Sequence, residues 1–154
     1  MTERKERTVK TDPAPLVVGL DGSELGAAAL DWAAAEAARR GARVVAVTVD
    51  PGSADLDAAA EHVRRAVHAH PGVTITHERR TGLIADTLLS AADGAAMLVI
   101  GSHGANGVLS ALLGSVAAYC VRHARGPVVL IPPALAAPTG ARRPDSALTP
   151  GPLL

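Results

Sequence analysis

The chain has 154 residues, enough for one domain with a sizeable core, and 48% of them are apolar although only 1% are aromatic. Alanine, valine, leucine and isoleucine must therefore fill the core, and such a core suits helices packed closely on a parallel sheet. Lysine plus arginine and aspartate plus glutamate number 15 each, a balance that argues against a broad basic surface for nucleic acid or anionic membrane.

The compartment is predicted from the cysteine count and from the N-terminus. A single cysteine, Cys120, excludes an internal disulfide, and the polar N-terminus resembles neither a signal peptide nor a membrane-spanning run. We therefore expect a cytoplasmic protein. Because Cys120 lies in an apolar helical stretch, we expect a small buried side chain there rather than a nucleophile.

Composition divides the chain into three regions. Residues 1–14 are charged, have no hydrophobic period and predict a flexible arm. Residues 15–133 hold every predicted helix and strand and form the domain. Residues 134–154 are rich in proline and alanine, which predicts a disordered tail that contributes little to the core.

Helices and strands alternate along the domain. The first half predicts a strand at 16–20, a helix at 26–40, a strand at 43–49 and a helix at 54–70. The second half predicts an edge strand at 73–78, a helix at 83–92, a buried strand at 97–100, a helix ending near 123 and a strand at 128–131. Ser23 is a favourable N-cap for the first helix, and Gly41 stops it.

Four histidines lie close together in the middle of the sequence, at His62, His68, His70 and His77. No acidic or thiol residue completes a metal-ligand set with them, and no pair has the i, i+4 spacing on a convincing helix face. We therefore expect exposed histidines and no metal site among them.

Five strands alternating with four helices predict an α/β fold, an open parallel sheet with helices on both faces. Ligands of such sheets bind beyond the carboxyl ends of the strands, where the strand order reverses. Two of these ends carry turn residues, Asp21-Gly22-Ser23 after the first strand and the loop from Gly101 after the fourth. A strand order of 3-2-1-4-5 would place both loops in one crevice.

The loop after the fourth strand is rich in glycine. Gly101, Gly104 and Gly107 follow the strand directly, and Gly114-Ser115 then opens the last helix. Free N–H groups at a helix N-terminus and close backbone approach at glycine together suit a phosphate. The loop is neither a Walker A motif nor a dinucleotide fingerprint, because Lys-Ser/Thr and Gly-x-Gly-x-x-Gly are both absent.

What the loop does match is Gly-x2-Gly-x9-Gly-Ser. This spacing resembles the nucleotide-binding signature of the universal stress protein family, and the resemblance extends from about residue 16 to residue 132. It implies a Rossmann-like sheet of order 3-2-1-4-5, of the adenine nucleotide alpha hydrolase-like type. It also implies an ATP-binding bacterial stress-response protein, and the heavy use of alanine, arginine and proline suggests a GC-rich bacterial source.

The resemblance implies a set of nucleotide-binding residues. Near the ribose and base they would be Gly19, Asp21, Thr48 and Val49, the last two through their backbone. Around the phosphates they would be Gly101, Ser102, Gly104, Asn106, Gly107, Gly114, Ser115 and Val116. Asp21 would also hold a phosphate-bound Mg²⁺, since that ion takes one or two carboxylates plus phosphate oxygens. The alternative for Asp21 is a turn residue that caps its own backbone, and His103 either touches a phosphate or faces solvent.

Two departures from the family pattern predict weak binding. Ala105-Asn106 stands where many relatives have Arg or Lys, and Ala117 where a serine or threonine is frequent. Each missing contact would cost about 1–3 kcal/mol of affinity.

The sequence leaves three functions open. The first is a small ATP-binding regulatory module with at most slow hydrolysis, since no nucleophile and general base converge on the crevice. The second is a nucleotide-independent dimeric scaffold of the same fold. The third, suggested by Asp21-Gly22-Ser23, is an adenine-nucleotide hydrolase or adenylate-forming enzyme, but the Ser-Gly-Gly-type loop that such enzymes usually need is absent.

The last strand predicts how the protein associates. Val128, Val129, Leu130 and Ile131 would form an exposed apolar edge, which tends to recruit another strand. The family resemblance likewise implies a two-fold homodimer that pairs this strand with its copy.

Overall fold

The computed structural model describes residues 11–50, 54–103 and 113–133, and these residues form five strands and four helices. In chain order they are β1 (Leu16–Gly19), α1 (Glu24–Arg40), β2 (Val44–Asp50), α2 (Leu56–Ala69), β3 (Ile75–Thr81), α3 (Ile84–Ala91), β4 (Met97–Gly101), α4 (Ser115–His123) and β5 (Val128–Ile131). The alternation predicted from the sequence is confirmed. The predictions for residues 1–10 and 134–154 lie outside the described residues.

Local sequence signals set both ends of α1. The Ser23 hydroxyl accepts a hydrogen bond from the Gly26 backbone N–H at 3.1 Å, and Glu24 complements the positive helix N-terminus. At the other end Gly41 has a φ of 64°, the left-handed conformation that stops a helix. Because Ser23 is the N-cap, the helix begins two residues before the predicted start.

All strand pairs of the sheet are parallel, and the strand order is β3-β2-β1-β4-β5. The predicted order is therefore confirmed. β1 lies in the centre, with Val17 opposite Val45 of β2 on one side and opposite Leu98 of β4 on the other. The order reverses between β1 and β4, so the chain leaves these two neighbouring strands in opposite directions.

Two apolar layers lie on opposite faces of the sheet. Helices α1 and α2 cover the face that carries Leu16, Val18, Leu20, Val44, Ala46, Met97 and Val99. Helices α3 and α4 cover the face that carries Val17, Val45, Val47, Val49, Leu98 and Ile100. Successive residues of the central strands enter opposite layers, which explains why these strands are apolar throughout. Cys120 of α4 is fully buried as expected, and burial raises the pKa of its thiol.

The third strand lies further along the chain than the predicted segment at 73–78. It pairs with β2 from Val44 opposite Ile75 to Asp50 opposite Thr81, so the length of β2 sets its end. Its exposed charges are paired, as in the contact of 2.6 Å between Arg79 and Asp50. Charged, paired side chains of this kind protect an edge strand from further pairing.

His62 corrects the expectation that the central histidines are exposed. It lies on α2, is only 8% exposed, and its Nε2 is 3.9 Å from a carboxylate oxygen of Glu24 on α1. Its Nδ1 makes no hydrogen bond within the described part of the chain.

No helix in the described part of the chain is long and apolar enough to cross a bilayer.

Candidate functional site

The carboxyl ends of the central strands β1 and β4 lie side by side at the same end of the sheet. The two strands run parallel in register, from Leu16 opposite Met97 to Val18 opposite Val99. After β1 the chain crosses to α1 on one face, whereas the chain after β4 leads to α4 on the other. This divergence opens the crevice in which ligands of doubly wound sheets bind.

Asp21 holds the turn that follows β1. Its Oδ1 accepts hydrogen bonds from the Ser23 backbone N–H at 3.0 Å and from the Ser23 hydroxyl at 2.5 Å. The same hydroxyl accepts from Gly26, so one chain of bonds joins the turn to the first turn of α1. The structure thus displays the turn role that was the alternative for Asp21. Both bonds use Oδ1, and Oδ2 takes no part in them.

The turn also rests on the start of α2. The Asp55 backbone N–H donates to the Asp21 carbonyl at 2.9 Å, while Oδ1 of Asp55 accepts from the Ala58 backbone as the N-cap of α2. Gly22 has a φ of 87°, and a Cβ on it would lie 2.5 Å from the Asp55 carbonyl oxygen. Sequence analysis did not include Asp55 in the site. The predicted helix at 54–70 placed Asp55 inside the helix rather than at its N-cap, and the contact of Asp55 with Asp21 depends on tertiary structure.

Gly19 and Gly101 end the two central strands and are needed for packing. A Cβ on Gly19 would lie 2.9 Å from Ile100 and 3.0 Å from Leu88 of α3. A Cβ on Gly101 would lie 2.8 Å from Leu25 of α1. The side chains of Ile100 and Leu88 therefore fill the space at Gly19, and the side chain of Leu25 fills the space at Gly101.

The end of β2 forms one wall of the crevice. Thr48 is fully buried, and its Oγ1 lies 2.8 Å from Nε2 of His77 on β3; burial lowers the pKa of His77. The pairing of β1 with β2 ends at Val47, whose carbonyl accepts from Leu20 at 2.9 Å. Since alternate residues of a strand direct their backbone groups to the same side, those of Val49 point past the end of β1 into the crevice. Those of Thr48 point to β3.

Ser102 joins β4, β5 and α4. Its backbone N–H donates to Ile131 at 2.9 Å, and its carbonyl accepts from the Gly114 backbone at 2.8 Å. Its hydroxyl lies 2.9 Å from Nδ1 of His103, and the residue is only 7% exposed. The structure therefore gives the Ser102 side chain a partner inside the protein and holds the N-terminus of α4 against the end of β4.

Within the described residues, no side chain caps the N-terminus of α4. Gly114 is the N-cap, makes no side-chain hydrogen bond, and no acidic residue follows in the first turn. Ser115 is exposed, and Val116 is half-buried. The first backbone N–H groups of α4 thus keep the positive end of the helix dipole without a compensating carboxylate, an arrangement that binds anions.

The structure brings together most of the residues that the sequence analysis assigned to the site. Four parts of the site lie at the carboxyl end of the sheet: the turn at Asp21, the end of β2, the end of β4 and the start of α4. The predicted phosphate contacts of Gly104, Asn106 and Gly107 lie outside the described residues. Fold and crevice together define a doubly wound α/β protein with a helix N-terminus at its switch point, where ligands of such sheets bind.

Comparison with known proteins identifies the family. The model of the universal stress protein family matches residues 14–62 and 51–132. A universal stress protein of Mycobacterium tuberculosis is 33% identical over 150 residues, which covers 76% of this chain and 47% of that protein. The chain therefore belongs to the universal stress protein family. It spans about half the length of the curated relatives that it matches.

Solved structures agree with this assignment. A universal stress protein in complex with cAMP is 31% identical, with a TM-score of 0.65 over 79% of this chain and 98% of that chain. A universal stress protein from Archaeoglobus fulgidus in complex with dAMP is 27% identical, with a TM-score of 0.60 over 79% of this chain and 99% of that chain. Both share the Rossmann-like fold described above.

Proposed function

We propose that this protein binds an adenine nucleotide, ATP among them, in the crevice between the Asp21 turn and the start of α4. The uncapped N-terminus of α4, held against the end of β4 by the bond from Gly114 to Ser102, carries this proposal. It is the positive end of a helix placed where doubly wound sheets bind ligands. The complexes of two structural relatives with cAMP and dAMP support an adenine ligand.

The nucleotide lies across the crevice in this proposal. The backbone of Val49 offers hydrogen bonds to the edge of the adenine, and Asp21 with the Gly19 backbone borders the ribose. The phosphates lie at the backbone N–H groups of Ser115 and Val116. The separation suits a nucleotide, because the base-binding wall comes from β2 and the phosphate-binding wall comes from α4, with β1 and β4 between them.

Asp21 fits a phosphate-bound Mg²⁺ in addition. Its two turn bonds both use Oδ1, and a single carboxylate oxygen is enough for an ion whose other ligands are phosphates and water. Bound there, Mg²⁺ would neutralise part of the phosphate charge.

We infer a binding and regulatory role rather than an enzymatic one. In the described part of the chain two hydroxyls lie beside an imidazole, and both are buried: Ser102 beside His103 is only 7% exposed, and Thr48 beside His77 is fully buried. Any hydrolysis of ATP should therefore be slow. Because adenine nucleotides are cytoplasmic metabolites, we propose that the protein acts in the cytoplasm.

A second candidate function is a dimeric scaffold that binds no nucleotide. It is favoured by the packing at Gly19 and Gly101, since the neighbouring side chains of Ile100, Leu88 and Leu25 already explain why both positions lack a side chain. Under this hypothesis the glycines serve only the fold.

We propose that β5 forms the homodimer contact in either case. It is an edge strand, and Val128, Val129 and Leu130 are only half-buried. The carbonyls of Pro127 and Ile131 accept from Leu98 of β4 and from Ser102 just after it, so the backbone groups of Val128 and Leu130 point outward.

Proline substitution tests the dimer contact. Val128→Pro removes an outward N–H and should weaken dimerisation about ten-fold or more while the monomer stays folded. Val129→Pro removes an N–H on the side facing β4 and should destabilise the fold. Sedimentation equilibrium measures the dimer constant, and a monomeric wild-type chain at tens of micromolar would contradict the proposal.

Calorimetry of the full chain with adenosine, AMP, ADP and ATP tests nucleotide binding. Ser115→Pro removes one N–H at a helix position that tolerates proline, and Ser115→Ala is its control because it removes only the hydroxyl. We expect Ser115→Pro to weaken AMP binding more than Ser115→Ala does, with equal affinity for adenosine. The absence of heat with every adenine nucleotide at millimolar concentration would instead support the scaffold.

A further inference from the structure

A groove of about 420 Å³ lies at the amino end of the sheet, opposite the crevice of the proposed function. The turn after α3 and the turn after α4 line it, together with Met97 and Leu98 at the start of β4. Its volume falls within the range of about 300–1,000 Å³ that is usual for small-molecule sites. None of the residues proposed to bind the nucleotide lines the groove, so it would be a separate site.

Backbone hydrogen bonds hold the lining of the groove in place. In the turn after α3, the Ala95 N–H donates to the Ala92 carbonyl at 2.9 Å. At the start of β5, the Pro127 carbonyl accepts from the Leu98 N–H at 2.9 Å, which ties the end of the second turn to β4. A lining that is already ordered lowers the entropic cost of binding a ligand.

Part of the lining is apolar. Leu89, Ala92, Ala95 and Leu98 line the groove and belong to the apolar layer under α3 and α4. An apolar group of a ligand would extend this layer and would be removed from water. The groove therefore favours a ligand with an apolar part.

The α3 side of the groove attracts a cation. Ala92 is the C-cap of α3, no basic residue lies in the last turn of this helix, and the exposed Asp93 follows directly. The negative end of the helix dipole and the Asp93 carboxylate therefore lie together without a compensating charge on the helix. A ligand ammonium group would compensate both.

The α4 side of the groove attracts an anion. Arg125 is exposed, lines the groove and forms no ion pair with any other residue of the described ranges, Asp93 included. By contrast, every arginine of α1, α2 and β3 pairs with a carboxylate. His123 also lines this side, with its ring packed on Tyr119 at a centroid distance of 4.2 Å. A guanidinium binds a carboxylate through two parallel hydrogen bonds, so a ligand carboxylate suits Arg125.

We propose that this groove binds a zwitterion with an apolar side chain, the chemistry of the free apolar amino acids. The ligand carboxylate lies at Arg125, the ammonium lies at Asp93 and the end of α3, and the side chain lies against the apolar layer. Because Asp93 and Arg125 do not pair with each other, one ligand that carries both charges satisfies both residues. The inference is independent of the proposed function, since the groove and the crevice lie at opposite ends of the sheet.

Amide NMR of the ¹⁵N-labelled full chain during titration with L-leucine tests the inference. We expect the largest changes in chemical shift at Asp93, Gly94, Arg125 and Gly126. Three related compounds each lack one part of the ligand: isocaproate lacks the ammonium, isoamylamine lacks the carboxylate, and glycine lacks the apolar side chain. Each should bind at least about ten-fold more weakly than leucine.

Two variants assign each charge of the ligand to its partner. Arg125→Gln should weaken leucine binding by about ten-fold and should not weaken isoamylamine binding. Asp93→Asn should weaken leucine binding similarly and should not weaken isocaproate binding. Both residues are exposed, so both variants should fold. Arg122→Gln is the matched control, because Arg122 is an exposed arginine of α4 that does not line the groove, and it should bind leucine as the wild type does.

Three results would overturn the inference. The first is no change in chemical shift with leucine at millimolar concentration, and the second is binding of isocaproate and isoamylamine as tight as that of leucine. The third is an equal loss of leucine binding in Arg122→Gln and Arg125→Gln, which would indicate a general effect of charge. Titration with AMP reports on the crevice alone, so either proposal can fail while the other stands.

Discussion

Placing a negative charge at the start of α4 separates the folding role of this helix end from its proposed binding role. Ser115 is the first residue of α4, it is exposed, and neither a side-chain cap nor an acidic first-turn residue accompanies it. In Ser115→Asp the carboxylate would interact with the positive helix end and with any phosphate bound there. The two interactions have opposite signs, so stability and phosphate affinity should change in opposite directions.

The magnitudes follow from the position of the charge. An acid in the first turn stabilises a helix by about 0.3–1 kcal/mol, which for a domain of this size corresponds to a rise in melting temperature of about 1–4 °C. Two like charges about 4 Å apart repel by about 1 kcal/mol in water and by about 4 kcal/mol near a protein surface. ATP binding should therefore weaken by about 5- to 700-fold, while adenosine binding should not change.

Thermal unfolding and calorimetry without Mg²⁺ check both changes, with Ser115→Asn as the uncharged control of the same size. If Ser115→Asp binds ATP as tightly as Ser115→Asn does, the phosphates lie elsewhere. If its melting temperature falls by several degrees, the end of α4 is already compensated and the electrostatic reasoning is wrong.

Three further predictions concern stability, measured by urea unfolding. Gly22→Ala should cost about 3 kcal/mol or more, because its Cβ would meet a backbone carbonyl at 2.5 Å, whereas Gly41→Ala, with open space around it, should cost only the left-handed strain of about 1–2 kcal/mol; equal costs would contradict the packing. His62→Met should raise the free energy of unfolding by about 1 kcal/mol because it removes a buried nitrogen that has no hydrogen-bond partner in the described residues. A large loss of stability would contradict this, because it would mean that Nδ1 of His62 does have a partner. Burial lowers the pKa of His77, so the free energy of unfolding should fall as the pH drops below the ordinary histidine pKa of about 6.5. His77→Gln should lessen that fall, and an unchanged pH dependence of stability in this variant would contradict the prediction.

The sequence predicts the fold well because its signals are local and agree with one another. Ser23 and Gly41 cap α1 as their residue types require, and the apolar runs of β1, β2 and β4 identify strands buried on both faces. The strand order came from the family resemblance and from the need to bring two turn-bearing strand ends together. β3 was misplaced because its limits depend on the length of β2.

The details of the site depend on contacts between distant parts of the chain, which a single sequence does not display. The bond between Gly114 and Ser102 and the contact of Asp55 with the Asp21 turn each join separate elements. The glycine pattern predicted the location of the crevice, but only the structure shows that the side chains of Ile100 and Leu88 fill the space at Gly19. Glycines required by packing and glycines required by a ligand look alike in a sequence.

Amide NMR of the ¹⁵N-labelled full chain during titration with AMP tests the central claim most directly. We predict the largest changes in chemical shift at Ser115 and Val116 for the phosphate and at Val49 for the adenine. The groove of about 420 Å³ lies at the opposite end of the sheet, where Asp93 and Arg125 are among its lining residues. Changes confined to that groove would contradict the account, as would no change at all.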